Sequence, residues 1–462
     1  AVVLGAGEGK RLKSNLPKVL HRVGGRALLA HVLAALSGLN LAIFVVASVR
    51  KDEVAAAMAA VGFTDIDYVI QEVPRGTADA ARIALEVVPA GIETVLVVPG
   101  DTPLVTGDTF TRLLDSHSRT EAVATVLTAR VDDPSGYGRV IRGDSGDVRS
   151  IVEHRDASDQ ERDIDEINTS VYVFDRDRLS AMLPKIGQEN VQDEYYLTDV
   201  IGLMVAEGDK VVAVEGSAEE ARGVNSRSDL SAAGGSLRRR VAERWMSEGV
   251  TIVDPDTTYI DASVTIERDA VIRPFTFLEG DTTIGAHADI GPHARIVDSQ
   301  VAEDASITYA VVRGSRIGAE ASVGPFASIR PGTILGRKAR VGTFVETKET
   351  TIGDGSKANH LAYLGDAEIG TGVNVGAGTI TCNWDGTEKH KTVIEDDAYI
   401  GSDTMLVAPT NIGKRAATGA GSVVKGDVPD DALAVGVPAR IIEGKGDRMR
   451  RKPDKRAEDA GG

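Results

Sequence analysis

The hydrophobic pattern changes rhythm once along the chain, and that change divides it. From residue 1 to about residue 214, short β-branched runs alternate with segments whose apolar positions fall at helical spacing. Strands are expected over residues 1–4, 41–47, 68–71, 94–98 and 122–131, with helices between them such as 27–36 and 78–87. Strand–helix alternation needs crossover connections, so it predicts a Rossmann-like α/β domain whose mainly parallel sheet carries helices on both faces. Ligands of such sheets bind beyond the carboxyl ends of the strands. The loops after Leu4, Gln71 and Val98 are therefore the ones to watch.

Beyond Val250 a period of six replaces helical spacing. Ile260, Ile266, Ile272, Leu278, Ile284, Ile290 and Ile296 keep it without a miss. The phase slips, then resumes at Ile317, Val323, Ile329, Leu335 and Val341, and again at Ile394, Ile400, Leu406 and Ile412. Many of these aliphatics precede a glycine, as in Ile284-Gly285 and Ile400-Gly401. Neither a helix nor a flat sheet repeats every six residues. A coil of three short strands per turn does, with one inward aliphatic per face, and its stacked turns bury a continuous column. The expectation is a left-handed parallel β-helix of hexapeptide repeats.

The domains expected are thus 1–225, a helical linker 226–250, the β-helix 251–442 and a disordered basic tail 443–462. The linker places Leu230, Leu237, Val241, Trp245 and Met246 on one side, and Arg238, Arg239 and Arg240 toward water. Gly234-Gly235 weakens it locally, at about 1 kcal/mol for each interior glycine. The tail carries Lys445, Arg448, Arg450, Arg451, Lys452, Lys455 and Arg456 with almost nothing apolar, a composition that cannot bury a core.

Composition narrows the function classes. Over 462 residues, 52 Lys and Arg stand against 69 Asp and Glu, a net charge of −17 that argues against a chain-wide nucleic-acid footprint. No stretch approaches the roughly 18 consecutive apolar residues of a membrane span. No charged and apolar leader opens the chain, so export is not expected. Ala1 falls inside the first strand, so a few native residues are expected to precede it. The single cysteine, Cys382, permits neither an internal disulfide nor a multi-cysteine metal site. A cytoplasmic protein with no nucleic-acid and no membrane partner is the expectation.

Candidate chemistry in the first half begins right after its first strand, with Leu4-Gly5-Ala6-Gly7-Glu8-Gly9-Lys10-Arg11 and then Pro17-Lys18-Val19-Leu20. Its glycines let backbone amides approach phosphate oxygens, and Arg11 and Lys18 add positive charge. The run matches neither the P-loop nor the G-x-G-x-x-G fingerprint. A tight strand-to-helix turn would explain it too. Asp101, at the end of a buried strand, is more telling, because an unpaired carboxylate there would be costly. A bound Mg²⁺ would remove that cost, and Mg²⁺ usually takes one or two protein oxygens. A turn or helix-capping role before Pro103 is the plainer alternative.

Gln71, Gly76-Thr77, Gly100-Asp101-Thr102-Pro103-Leu104, Gly136-Tyr137-Gly138-Arg139, Ile151-Val152-Glu153 and Asn168 follow in one order. With them the chain resembles the sugar-1-phosphate nucleotidyltransferases. Within these it looks like the N-acetylglucosamine-1-phosphate uridyltransferase half of a bifunctional enzyme family. The resemblance implies that Leu4, Gly5, Ala6, Gly7, Gln71, Gly76 and Thr77 hold the uridine nucleotide. Lys18 and Arg11 would act on its phosphates, Gly138, Glu153 and Asn168 would hold the sugar, and Asp101 and Asn225 would bind Mg²⁺. Two departures stand out: Gly5 replaces the usual Ala, and Ala78-Asp79 replaces Gly-His, which puts an acidic residue near a nucleotide.

In the second half the six-residue rhythm breaks between Glu346 and Lys391. That stretch gathers Lys348, His360, Tyr363, Asn374 and Asn383 with further amides. Acyl transfer from a thioester to an amine needs a group to take the ammonium proton, and histidine, with an ordinary pKa near 6.5, suits it. A structural histidine and ordinary surface charge are the plainer readings. The segment resembles the glucosamine-1-phosphate acetyltransferase half of the same family. By that resemblance His360 is the base, and Arg330, Lys348, Tyr363 and Asn374 hold the sugar phosphate. Ala377, Asn383, Trp384, Ser402 and Ala420 would line the acetyl-coenzyme A groove, with Lys389 nearby. Trp384 stands where Tyr is usual, and the arginine expected before Val437-Pro438 is absent. Cys382 reads as a small buried residue.

The implied enzyme acetylates glucosamine-1-phosphate with acetyl-coenzyme A, then transfers uridylyl from UTP to the product. Its cofactor is Mg²⁺, and it would work as a homotrimer on small-molecule substrates. Two rivals stay open: a single-activity nucleotidyltransferase with a structural β-helix, and a non-enzymatic scaffold.

Overall fold

The computed structural model describes residues 1–7 and 9–445. Residues 446–462 of the expected basic tail lie outside the described residues. The chain divides into two compact units, Ala1–Leu237 and Arg238–Gly462.

The first unit is built on nine strands: β1 (Val2–Leu4), β2 (Phe44–Ala47), β3 (Asp67–Ile70), β4 (Thr94–Pro99), β5 (Ala124–Arg130), β6 (Arg139–Arg142), β7 (Val148–Val152), β8 (Glu166–Asp175) and β9 (Val211–Glu215). They lie in the order β9-β5-β8-β4-β1-β2-β3, with the β6–β7 hairpin attached through β8. Strands β4, β1, β2 and β3 run parallel, while β8 is antiparallel to both its neighbours. Successive side chains of a strand point to opposite faces. Val2, Val46 and Val97 therefore join one core with Ala78, Ala81 and Ala84 of the helix Thr77–Leu85. Val3, Val45 and Val98 join the other with Leu29, Leu33 and Leu36 of the helix Leu28–Leu36. The mainly parallel, two-faced sheet is as expected. The strand predicted over 41–47 begins only at Phe44, because Leu41 and Ile43 pack at the edge of the core without joining the ladder.

The second unit is a parallel β-solenoid. Each aliphatic of the six-residue period points inward and is at most 5% exposed. Ile260 pairs with Leu278 and Leu278 with Ile296, each three periods on, so one turn of coil is three hexapeptides. Ile284 pairs with Val301 and Ile296 with Val312. Turns there are one or two residues shorter, lost at the corners, which is the phase slip seen in the sequence. The later break has a different cause. Glu346–Ile352 and Tyr363–Ile369 form longer strands paired in register. Residues 383–391 then leave the coil as a loop closed by the Trp384–Lys389 bridge and by the His390 N–H donating to the Asn383 carbonyl at 2.8 Å.

The expected connector is one unbroken helix, Arg227–Ser247. Ala233 and Leu237 pack with Val23, Leu28 and Leu104, and Val241, Ala242 and Trp245 join the core of the second unit. Gly234 comes so close to Val23 that an added Cβ would lie 3.2 Å from its Cγ2. Two expectations fail here. Met246 is exposed rather than on the packed side. Arg238 does not simply face water: its guanidinium lies 4.9 Å from the ring centre of Tyr259, a cation–π contact. Among the described residues no helix is long and apolar enough to cross a membrane.

Candidate functional sites

A cleft of about 730 Å³ opens beyond the carboxyl ends of β1, β3 and β4. All the residues singled out in the first half line it: Leu4, Gly5, Ala6, Gly7, Arg11, Lys18, Gln71, Gly76, Thr77, Asp101, Gly138, Glu153, Asn168 and Asn225. The loop after β1 is pinned by its own backbone. The Gly5 N–H donates to the Val46 carbonyl, and the Gly100 N–H to that of Leu4, both at 2.8 Å. Gly76 (φ 116°) is required by a close approach, since a Cβ there would lie 2.4 Å from the Tyr195 carbonyl oxygen. Its neighbour Thr77 accepts the Leu197 N–H at 3.0 Å.

Lys18 sits on the short helical turn that follows Pro17. Its ammonium donates to Asn225 Oδ1 at 2.7 Å and forms an ion pair with Asp101. The two side chains of that pair are only 12% and 18% exposed. Three distant segments thus converge on one cation position faced by a carboxylate and an amide oxygen. Two hard oxygen donors suit Mg²⁺, which keeps several waters and needs few protein ligands. Among the described residues no cluster of three or more His, Cys, Asp or Glu could hold a metal.

On the cleft wall, Thr198 donates to Glu153 Oε1 at 3.2 Å. Burial pushes the Glu153 carboxyl above its ordinary range; the Thr198 bond pulls it down, and Asp199, Asp156 and Glu194 push it further up. Asn168 is largely committed to the fold: its Nδ2 donates to the Tyr172 hydroxyl at 2.7 Å, and its Oδ1 accepts the Ser170 N–H at 3.1 Å.

In the second unit, strand register stacks the candidate residues. Ile329 pairs with Thr347 and Glu346 with Tyr363, so Arg330, Lys348 and Tyr363 lie on one face of successive turns. Arg330 donates to Glu346 at 2.6 Å. Lys348 meets Lys389 of the projecting loop, and that contact holds the Lys348 ammonium below its ordinary range. Asn383 Nδ2 donates to Asp366 and, at 3.5 Å, to the Tyr363 hydroxyl. His360 ends the strand Lys357–His360, on the same face as Asn374, one corner away from Tyr363. It is exposed, and its imidazole makes no hydrogen bond among the described residues. Ala377, Ser402 and Ala420 form a column of small side chains along one corner. The Asp403 N–H donates to the Ala377 carbonyl and the Gly421 N–H to that of Ser402. Trp384 stands on the loop, 58% exposed.

Residues 1–301 match the family model described as nucleotidyl transferase, and residues 256–353 that of the GMPPB C-terminal domain. The bifunctional protein GlmU of Brevibacillus brevis is 46% identical over 437 residues, covering 94% of each chain. That of Exiguobacterium sibiricum is 47% identical over 94% of this chain and 96% of its own. That of Corynebacterium efficiens is 46% identical over 96% and 92%. The chain belongs to the bifunctional GlmU family.

Two features of this GlmU-family chain, Asp229 and Tyr196, had no place among the residues expected from its sequence. Asp229 accepts the backbone N–H groups of Asn225 (2.9 Å) and Ser226 (2.8 Å), fixing the Asn225 segment. The spacing Ser226-x-x-Asp229 before a helix is a capping-box signal that could have revealed it. Tyr137 and Tyr196 also line the cleft, their phenols pushed up by burial; Tyr137 falls within the Gly136-Tyr137-Gly138-Arg139 motif, whereas no spacing pointed to Tyr196. Asp79 is no stray charge: it is 7% exposed and bonded to Gln71 and Arg82. Cys382 is half-buried rather than buried, and burial pushes its thiol up, away from a reactive thiolate.

Proposed function

We propose that the chain makes UDP-N-acetylglucosamine in two steps at two sites. In the second unit, the amine of glucosamine-1-phosphate attacks the thioester carbonyl of acetyl-coenzyme A. The C–N bond forms, the C–S bond breaks with its electron pair going to sulfur, and His360 takes the proton from the nitrogen and returns it to the leaving thiolate, so coenzyme A departs as thiol. Arg330, Lys348 and Tyr363 hold the sugar phosphate, with Asn374 beside the base. The crowding of Lys348 and Lys389 supports this part, since two adjoining ammonium groups favour an anion between them. Ala377, Ser402 and Ala420 leave room along their corner for the coenzyme's pantetheine arm, and Asn383 and Trp384 flank it.

In the first unit, a phosphate oxygen of N-acetylglucosamine-1-phosphate attacks the α-phosphorus of UTP, and pyrophosphate leaves. Glu153, Asn168 and Gly138 orient the sugar, and the loop from Leu4 to Gly7 takes the nucleotide with Gln71, Gly76 and Thr77. Arg11 and Lys18 balance the phosphate charge during in-line transfer, so this half works by positioning and electrostatics. Asp101 and Asn225 would hold Mg²⁺, which supplies charge stabilisation to the phosphates when bound.

The observation that carries the reading is the convergence of Lys18, Asp101 and Asn225 on one cation position inside the cleft. A scaffold has no use for it. A homotrimer belongs to the same proposal. Phe275, His293, Tyr309, Phe326 and Phe344 form a ladder of rings 4.8–5.8 Å apart along one corner of the coil. Such an exposed apolar strip favours cover by another subunit. A cytoplasmic setting fits these substrates. The test is purified protein with glucosamine-1-phosphate, acetyl-coenzyme A, UTP and Mg²⁺, following thiol and pyrophosphate together. Thiol release without pyrophosphate, or the reverse, would leave a single-activity enzyme.

A further inference from the structure

Asp79 sits in the first turn of the helix Thr77–Leu85, beneath the floor of the nucleotide cleft. Its carboxylate is held from both sides. Oδ1 accepts from Arg82 at 2.9 Å, and Oδ2 accepts from Gln71 Nε2 at 2.9 Å. The same Gln71 nitrogen donates to the Gly76 carbonyl at 3.3 Å. Both partners of that nitrogen can only accept, so the amide's orientation is dictated by chemistry. The NH₂ must face Asp79 and Gly76, and Oε1 must face the other way. Gln71 is 4% exposed, lines the cleft, and its Oε1 has no hydrogen-bond partner among the described residues. What the cleft meets at this point is therefore one acceptor, on a nearly buried side chain whose donors are already used.

An acceptor fixed in this way selects a base that offers a ring N–H. Uracil carries an imide N–H on its pairing edge, whereas cytosine presents a lone pair at the same ring position. Facing Gln71 Oε1, the uracil edge gains a hydrogen bond and the cytosine edge meets another acceptor in a desolvated place. Sites built to bond one polar group discriminate strongly against an analogue that leaves it unpaired. We propose that Asp79 is a positioning residue for base selection: by holding the Gln71 amide in one orientation, it makes the cleft accept an imide-bearing pyrimidine nucleotide and reject cytosine. This inference rests on the uridylyl-transfer reading of the cleft. It also gives the acidic residue a role without bringing it into contact with the nucleotide.

The test measures kcat/KM for UTP and for CTP by pyrophosphate release, in the wild type, Asp79→Asn and Arg82→Met. Asp79→Asn keeps the volume but allows the new amide to donate to Gln71 Oε1, so Gln71 can turn its NH₂ toward the base. The UTP-to-CTP ratio should fall at least tenfold. Most of that change should come from a higher KM for UTP, with kcat at saturating UTP within a few-fold of wild type. Arg82→Met leaves the Asp79–Gln71 bond in place and should keep the ratio within about threefold of wild type. A general loosening of the helix would lower both substrates alike and leave the ratio unmoved. The wild type supplies an independent arm that needs no variant: N3-methyl-UTP, which lacks the imide proton, should lose at least a hundredfold in kcat/KM. A wild type that uses CTP or N3-methyl-UTP as well as UTP overturns the inference, as does an Asp79→Asn variant with an unchanged ratio. No turnover of UTP at all would instead sink the proposed uridylyl transfer.

Discussion

If Glu153 holds the sugar as proposed, it places stability and sugar binding in opposition, and Glu153→Gln should separate them. Burial holds its carboxyl above the ordinary range, and three further acidic groups push the same way. A carboxyl raised in the folded state contributes its stability at low pH, below the unfolded value of about 4.3. That contribution is lost as pH rises through the folded value. At pH 8 the wild type therefore holds a charge in the cleft wall against only one side-chain donor among the described residues, Thr198 at 3.2 Å. Leaving a buried polar group poorly satisfied costs about 1–3 kcal/mol. Glutamine keeps the shape and removes the charge, so the first unit should be more stable at pH 8 by about that amount. For a unit of this size the gain corresponds to roughly 2–4 °C in Tm per kcal/mol. The gain should shrink as the pH approaches about 4.3, where the wild-type carboxyl is neutral too. Binding should move the other way. A sugar hydroxyl bonded to a carboxylate is worth about 1.5–3 kcal/mol, against about 0.5–1.5 for a neutral acceptor. KM for N-acetylglucosamine-1-phosphate should then rise roughly 5–12-fold, since each 1.4 kcal/mol is about tenfold. Thermal melts across pH and KM values at one pH are the assays. A stability gain that does not change with pH would refute the desolvation argument, and an unchanged KM would remove Glu153 from the sugar site.

Asp101→Ala should abolish pyrophosphate release yet leave thiol release from acetyl-coenzyme A near wild type; a parallel fall of both activities in a folded variant would contradict two separate sites. His360→Ala should cut thiol release by about 10²–10⁴-fold, with uridylyl transfer to supplied N-acetylglucosamine-1-phosphate retained, and wild-type acetylation across neutral pH would remove it as the base. Phe326→Asp with Phe344→Asp places charge in the exposed ring ladder. Sedimentation should show smaller species, whereas an unaltered trimer would locate the interface elsewhere.

The sequence carried whatever depends on local period. Inward aliphatics six apart, such as Ile272, Ile290 and Ile400, are all fully buried, because each must fill the column whatever its neighbours are. The slip after Ile296 hid Val301, Ile307 and Val312, since shortened corners erase the spacing without disturbing the stacking. Contacts between distant segments were legible only through the family resemblance, not from spacing. Lys18 and Asn225 are 207 positions apart, and no spacing rule links them. Arg238 looked like part of a solvated charge run because the sequence does not tell which ring it will lie over. Asp79 was recognisable as odd for the opposite reason: an acid beside a nucleotide loop conflicts with local expectation, though only the fold supplies Gln71 as its partner.

The second unit also indicates where chemistry can enter a repetitive fold. A turn of three hexapeptides offers the same inward aliphatics and the same small corners again and again, so a regular turn has nothing to distinguish one face from the next. Function requires a departure that the stacking tolerates. Residues 383–391 provide one, because the loop leaves the coil between Cys382 and Thr392 and returns without breaking the ladder: Thr381 still pairs with Leu406 and Thr392 with Thr410. The departure brings Lys389 to Lys348, and Asn383 to Asp366 and Tyr363. The column holds these groups in register at almost no expense to its core, since the inward residues on either side of the loop, Ile369 and Ile394, still pair directly. A rigid repeat with one tolerated interruption thus combines a fixed frame with a single polar site, and the interruption in the six-residue period is where that site should be sought.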